Sequence, residues 1–235
     1  MIDGVLLIDK APGMTSHDVV AITRRVLDTR KVGHCGTLDP LATGLLIITI
    51  GRGTKIQDLL MSEDKEYVGT IRLGQTTTSQ DADGGIIEER PVPELTREQL
   101  EEAFGKFQGD FYQTPPMVSA IKKDGVPLYK LARQGKTVER EPRLVHVYGH
   151  EILRIEAPEV DFRVMCSKGF YVRTYAHDIG ELLGCGAHLK ALRRTASGKF
   201  RVDGVLTVDE LRSLPLEQVK ARVLSLPEVS RLRGI

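Results

Sequence analysis

The densest chemistry in the chain lies in Gly33-His34-Cys35-Gly36-Thr37-Leu38-Asp39-Pro40-Leu41-Ala42-Thr43-Gly44. Small and turn-forming residues surround one acid, Asp39, which lies between two leucines. Pro40 disfavours the α region for the residue before it, so Asp39 is expected on extended or turn backbone. A carboxylate held there suits a nucleophile or a general base. It equally suits a plain Asp-Pro turn, bonded to nearby backbone N–H groups. A second group is Tyr171-Val172-Arg173. Read as a strand, alternation puts Tyr171 and Arg173 on one face and Val172 on the other. An arginine there can hold a buried carboxylate ionised while the ring lines a flat ligand. An edge-strand arginine packed on a tyrosine is the plainer alternative.

Other chemistries fail on spacing. Gly51-Arg52-Gly53-Thr54-Lys55 places its lysine after the threonine and lacks the four-residue gap of a P-loop. Cys185 and His188 offer two ligands where zinc takes about four. The signature of zinc nucleobase deaminases is absent. Nothing around Ser167-Lys168 forms a nucleophile elbow. The expectation is chemistry without metal or cofactor.

The elements that must position these residues follow from periodicity and turn signals. Residues 4–8 read as a short apolar strand closed by the turn Ala11-Pro12-Gly13. Thr15 or Ser16 can cap a helix whose apolar face is Val19, Val20, Ile22, Val26 and Leu27. Residues 45–50 read as a buried strand ending at Gly51, and residues 67–73 alternate with Tyr67, Gly69, Ile71 and Leu73 on one face. Capping boxes open helices at Thr96 and Thr207. Residues 144–155 hold one or two strands. Residues 162–174 read as a strand interrupted at Lys168-Gly169, followed by a helix to about residue 183. With no βαβ period or repeat, this predicts an α+β domain with a mixed, largely antiparallel sheet flanked by helices.

At 235 residues, 41% hydrophobic and 28% charged, the chain has the composition of a globular domain and excludes collagen, coiled coil and disorder. Three widely spaced cysteines suit a reducing compartment. No apolar run approaches the ~20 residues of a membrane span and no basic region precedes the first one, so the expected location is the cytoplasm. A net charge of +1 conceals opposed patches. Residues 79–102 are acidic, whereas residues 186–201 carry Lys190, Arg193, Arg194, Lys199 and Arg201 without an acid. Residues 122–143 form a second basic stretch with Lys122, Lys130 and Arg133, rich in glycine and proline and poor in apolar period. Such a long excursion from a core is usually functional. Two basic segments in a neutral chain match a phosphate-backbone footprint, or ordinary solvated surface.

Taken in order, the motifs resemble the TruB family, the bacterial tRNA pseudouridine synthases that act on the T-loop uridine numbered 55. The likeness rests first on residues 33–44. It continues through Asp9-Lys10 with Gly13 and Thr15-Ser16, Thr54-Lys55, Asp64-Lys65-Glu66-Tyr67, Leu73-Gly74-Gln75-Thr76 and Asp81-Ala82-Asp83-Gly84. Residues 166–174 and Leu192-Arg193-Arg194 complete it, covering residues 3 to 213.

The resemblance implies the pseudouridine synthase fold and a catalytic set of Asp39, Tyr67 and Arg173. Asp39 would attack the uracil ring or the ribose anomeric carbon, and the base would detach, rotate and rejoin through carbon. Arg173 would pair with Asp39, and Tyr67 would stack on the uracil and take the C5 proton. Tyr171 and Leu192 would line the pocket. His34 would fill the gap left by the flipped base as a flat, partly cationic ring. Lys10 and Lys55 would contact phosphates, and the basic excursion, about residues 118–143 with Lys122, Lys130 and Arg133, would be a thumb closing on RNA. The expected partner is the T-arm of tRNA, bound by a monomer. Alternatives within the same fold are an RNA-binding, tRNA-folding protein and a pseudouridine synthase for another RNA.

Two positions depart from the family pattern. Lys10-Ala11-Pro12 shifts by one a proline that usually follows the lysine, and Cys35 stands where threonine is usual and is expected to be inert. The reading is one catalytic domain over residues 1–235, with no room after the Thr207 helix for the C-terminal PUA domain that bacterial members typically carry.

Overall fold

The computed structural model describes residues 2–119, 121–123 and 125–234, and the side chains of residues 122, 123, 129 and 133 lie outside that description. The chain divides into two compact units, Met1–Tyr67 with Leu192–Ile235, and Val68–Ala191.

In the first unit the strand Thr43–Ile50 is apolar along nearly its whole length, and seven of its eight residues are buried. Such a run must be covered on both faces. The strand Gly4–Lys10 lies antiparallel to it, with Gly4 opposite Ile50 and Lys10 opposite Gly44. Val32–Cys35 also pairs antiparallel with it. Ala187–Ser197 joins in parallel, Arg193 opposite Thr43 and Arg194 opposite Gly44. Leu206–Thr207 runs parallel to the first strand. Val5, Leu45, Ile47, Leu60, Phe200 and Val229 meet in the core. The helix Ser16–Val26 begins at Thr15, whose Oγ1 accepts from Asp18 N at 3.1 Å while the Asp18 carboxylate accepts from Thr15 N at 2.8 Å. Thr15 is thus the cap, which leaves Ser16 for another purpose. Beyond the Thr207 box the chain adds helices Leu216–Ala221 and Leu226–Arg233, the second opened by a Ser225–Glu228 capping box that sequence reading passed over.

In the second unit the strand order is Lys65–Leu73, Glu159–Cys166, Arg143–Glu156, Gly109–Gln113. The last three pair antiparallel. Lys65–Leu73, which enters this unit from the first, alternates as expected, with Tyr67, Gly69, Ile71 and Leu73 buried. Residues 143–156 are one strand, with irregularities between Val147 and Gly149 and between Ile152 and Arg154. Helices Arg97–Gly105 and Val172–Leu182 bring Phe104 and Tyr175 onto Phe162 of the strand, with ring centroids 5.6 to 6.0 Å apart. Rings at these separations bury large apolar area and meet edge to face. The basic excursion is a small hairpin, Lys122–Lys123 against Val126–Pro127, followed by the helix Leu128–Arg133. The architecture is the expected mixed, mostly antiparallel α+β arrangement. Among the described residues, no helix is long and apolar enough to cross a membrane.

Residues 162–174 differ from the sequence expectation. The strand ends at Cys166, Gly169 turns the chain at φ +80°, and a helix starts directly at Val172. Tyr171 is its N-cap residue, and its carbonyl accepts from Tyr175 N at 3.0 Å. Arg173 therefore sits in a first helical turn, and strand alternation does not relate it to Tyr171. The overlooked signal is the spacing of buried Val172, Tyr175, Ala176 and Ile179, which is helical.

One glycine is dictated by contact. Gly44 has φ +98°, and a Cβ there would lie 2.3 Å from the Arg194 carbonyl oxygen and 2.8 Å from its nitrogen. Left-handed strain and backbone overlap together predict that Gly44→Ala costs about 2–5 kcal/mol of stability. Urea unfolding measures this. A loss below about 0.5 kcal/mol would mean that the two strands can separate without penalty.

Candidate active site

Residues 36–42 connect the strands Val32–Cys35 and Thr43–Ile50 and carry Asp39, which is half-buried beside buried Leu38. The main chain on both sides of Asp39 is tied down. Leu38 N donates to Ser16 Oγ at 2.9 Å, and Ser16 Oγ donates back to the Leu38 carbonyl at 3.2 Å. Gly13 N donates to the Pro40 carbonyl at 2.9 Å, and Ala42 N to the Asp39 carbonyl at 3.0 Å. The N-terminal helix and the turn before it thus hold the loop in one conformation.

Lys10 completes that brace, which corrects its expected role at phosphates. Its side chain is 0% exposed. Its ammonium donates to the carbonyls of Ala11 at 2.9 Å, Met14 at 2.8 Å and Pro40 at 3.3 Å. An ammonium has three donors, and all are spent on the main chain. Burial pushes its pKa down to about 8, against the opposing pull of the Asp39 charge and with the help of Arg194. Through the Ala11 and Met14 carbonyls Lys10 also holds the turn that contains Pro12.

The strand Ala187–Ser197 closes the other side. Arg194, 1% exposed, donates from Nε to the Leu45 carbonyl at 2.8 Å and from Nη2 to the Gly36 carbonyl at 3.1 Å. Sequence reading placed it in a basic stretch and in the Leu192-Arg193-Arg194 motif but gave it no role of its own. Its neighbour Arg193 faces outward and makes a bidentate pair with Asp9 at 3.0 and 2.6 Å. Leu192 is buried, and its carbonyl accepts from Thr43 Oγ1 at 3.4 Å. Tyr67 is buried on the alternating strand, and Lys55 is exposed on the short helix Gly51–Ile56.

His34 is not a cation here. Burial, then the charges of His17 and Arg194, push its pKa down to about 4. The His17 ring meets it edge-on, centroids 5.1 Å apart. Cys35 is buried and its thiol is pushed up to about 12, again by burial, which makes it inert as expected.

In the second unit Arg173 is 3% exposed. It donates to the carbonyls of Ser79 at 2.9 Å and Val118 at 2.6 Å, and its Nε lies 3.6 Å from Asp81. Asp81 is itself buried and accepts from Ser79 Oγ and from Asp83 N. Part of the acidic stretch is therefore turned inward. Tyr171 is held by the buried Gln113 amide, which accepts from its N at 2.8 Å and donates to its carbonyl at 3.1 Å. Lys130 is exposed on the short helix, while the side chains of Lys122 and Arg133 lie outside the described residues.

The His34 shift sets a pH dependence. Its folded value of about 4 lies below the ordinary 6.5, so the unfolded chain binds more protons between those values and stability falls as pH drops through that window. His34→Phe should flatten the fall between pH 6.5 and 4, read from urea midpoints at several pH values. Parallel slopes in variant and parent would mean that the folded ring accepts the proton freely.

With this geometry in place, comparison with known proteins is direct. The TruB family pseudouridylate synthase N-terminal domain matches residues 24–172, and the tRNA pseudouridylate synthase B C-terminal domain matches residues 173–226. A tRNA pseudouridine synthase B of Opitutus terrae is 56% identical over 95% of this chain and 92% of its own. One of Francisella philomiragia is 48% identical over 97% and 76%. Among solved structures, a chain of a Cbf5-Nop10-Gar1 complex aligns with TM-score 0.74 and 31% identity over 97% of this chain and 62% of its own. A chain of an archaeal box H/ACA Nop10-Cbf5 complex gives 0.71 and 29%, over 98% and 61%. The present sequence thus spans less than two thirds of those structures' chains but nearly all of the Opitutus relative. Matched over more than half its length by the first family domain, and about half identical to these relatives, the chain belongs to the TruB family of pseudouridylate synthases.

Proposed function

We propose that this chain isomerises uridine to pseudouridine in tRNA, and that its target is the T-loop uridine numbered 55. Its relatives bear the name tRNA pseudouridine synthase B. The observation that carries the catalytic assignment is the loop around Asp39, fixed on both sides by Ser16, Gly13 and the buried Lys10 ammonium. A nucleophile gains from being held in one place before the substrate arrives.

Asp39 attacks the uracil ring or the ribose C1′ carbon. The N1–C1′ bond breaks with its electron pair left on the base, the base turns, a C5–C1′ bond forms and the bond to Asp39 breaks. Tyr67 takes the C5 proton and N1 gains one, so product and substrate are isomers. A uridine within a folded loop is out of reach until it is flipped, and Tyr67 is the ring on which it stacks. Leu192 of the first unit and Tyr171 of the second are assigned to the uridine, and Arg173 is the cation of the catalytic set. His34 fills the vacated place in the RNA stack as a neutral imidazole, for which stacking needs no charge. Lys55 and Lys130 hold phosphates, with Lys122 and Arg133 beside Lys130 in the thumb. The protein acts as a monomer in the cytoplasm.

Asp39→Asn is expected to bind tRNA with parent affinity and to form no pseudouridine, because an amide of the same shape forms no covalent adduct. Mapping of pseudouridine in an unmodified transcript tests both the nucleophile and the position. Multiple turnover by this variant, with deamidation excluded by mass spectrometry, would sink the assignment.

Charge reversal in the basic excursion, Lys122→Glu with Lys130→Glu and Arg133→Glu, should act on binding alone. Losing about three phosphate contacts flattens the salt dependence of log K by roughly two units. The single-turnover rate at saturating RNA should stay within about tenfold of the parent, since affinity losses fall mainly on the off-rate. An unchanged salt slope with a collapsed rate would mean that the segment shapes the site instead of holding RNA.

A further inference from the structure

We propose that Arg194 is the positioning residue of the Asp39 loop, gripping its entry and its exit with one guanidinium. The proposal rests on Asp39 being the nucleophile. Gly36 opens the loop and Leu45 follows its exit, and Arg194 donates to both carbonyls, at 3.1 and 2.8 Å. Its own main chain pairs with Gly44 at that exit. A Cβ on Gly36 would come within 3.2 Å of Arg194 Nη1, so the guanidinium lies directly against the loop backbone. One residue therefore fixes the separation of the two points from which the loop hangs.

The side chain suits this purpose and little else. Among its described hydrogen bonds the acceptors are main-chain carbonyls, and it is buried. A buried cation costs desolvation, and an apolar residue of similar volume often stabilises a core as well. What an apolar residue cannot do is span two carbonyls in a fixed planar geometry, which the guanidinium fork does and an ammonium does not. Arg193, one position away, shows the ordinary alternative, a half-exposed bidentate pair with a carboxylate. The Arg194 charge is also felt across the loop, where it opposes protonation of both Lys10 and His34.

The test compares Arg194→Lys, which keeps the charge and loses the fork, with Arg194→Gln, which loses the charge, and runs Asp39→Asn alongside. Both Arg194 variants should bind unmodified tRNA transcript within about threefold of the parent while their single-turnover rates at saturating RNA fall about 30- to 100-fold, since a displacement near 1 Å costs about that much. Titration of His34 by NMR supplies a readout that general loosening of the core would move differently. It should stay far below 6.5 in Arg194→Lys and rise in Arg194→Gln. A parent rate in both folded variants with Asp39→Asn dead overturns this inference alone. Turnover by Asp39→Asn removes the functional reading and the inference with it. Lost RNA affinity at an intact rate, or failure of both variants to fold, would make Arg194 a residue of binding or of stability and also overturn it.

Discussion

Gly44 has a buried lysine opposite it on one neighbouring strand and a buried arginine on the other. The Arg194 strand could not come this close to a side chain, because its backbone leaves no space for a Cβ. Much of the first unit's site follows from that approach. It delivers Arg194 to Gly36 and Leu45, and Lys10 to Pro40, from opposite sides of one loop. Two cations so placed repel each other, which is part of why the Lys10 ammonium loses its proton more easily than usual. Main-chain carbonyls accept the hydrogen bonds described for both cations, and the Asp39 charge adds its pull on Lys10.

The second unit handles its buried arginine differently. Arg173 faces a carboxylate as well as two carbonyls, and Asp81 is oriented in turn by Ser79 and Asp83. Removing one member of such a buried pair strands the other, at a cost of roughly 3–5 kcal/mol. Exposed pairs on the same unit, such as Arg154 with Asp161 or Arg97 with Glu101, are screened by solvent and contribute little. The charges that matter are therefore the few inside, and the net charge of the chain carries no information about them.

Where residue type alone set the outcome, the sequence was legible. The Asp39 loop, the alternation around Tyr67, a helix cap at Thr15 or Ser16 and the capping boxes at Thr96 and Thr207 all follow from local rules, and the structure has them, with Thr15 as the cap. What could not be read was the direction in which a charged side chain points. Lys10 and Arg194 look like surface bases in the sequence, and Asp81 like one more acid in an acidic run. Only the strand register that turns Lys10 and Arg194 inward, and the turn that buries Asp81, assign them partners. The strand expected through Arg173 failed for a simpler reason. Tyr-Val-Arg has strand-forming residues, but the next apolar positions, Tyr175, Ala176 and Ile179, repeat with a helical period and outweigh them. Gln113 was invisible because its partner is the backbone of Tyr171, far away in the chain.

The three thiols carry a consequence for oxidative chemistry. Cys35, Cys166 and Cys185 are all buried, and burial pushes the thiols of Cys35 and Cys185 upward. Peroxides and alkylating agents react with thiolate, not thiol. With a value of about 12 for Cys35, only about one molecule in 10⁵ carries the anion at neutral pH. The sulfur of Cys35, adjoining the Asp39 loop, is thereby shielded by solvation energy as well as by packing. A cell under peroxide stress can modify its exposed cysteines while this loop keeps its shape.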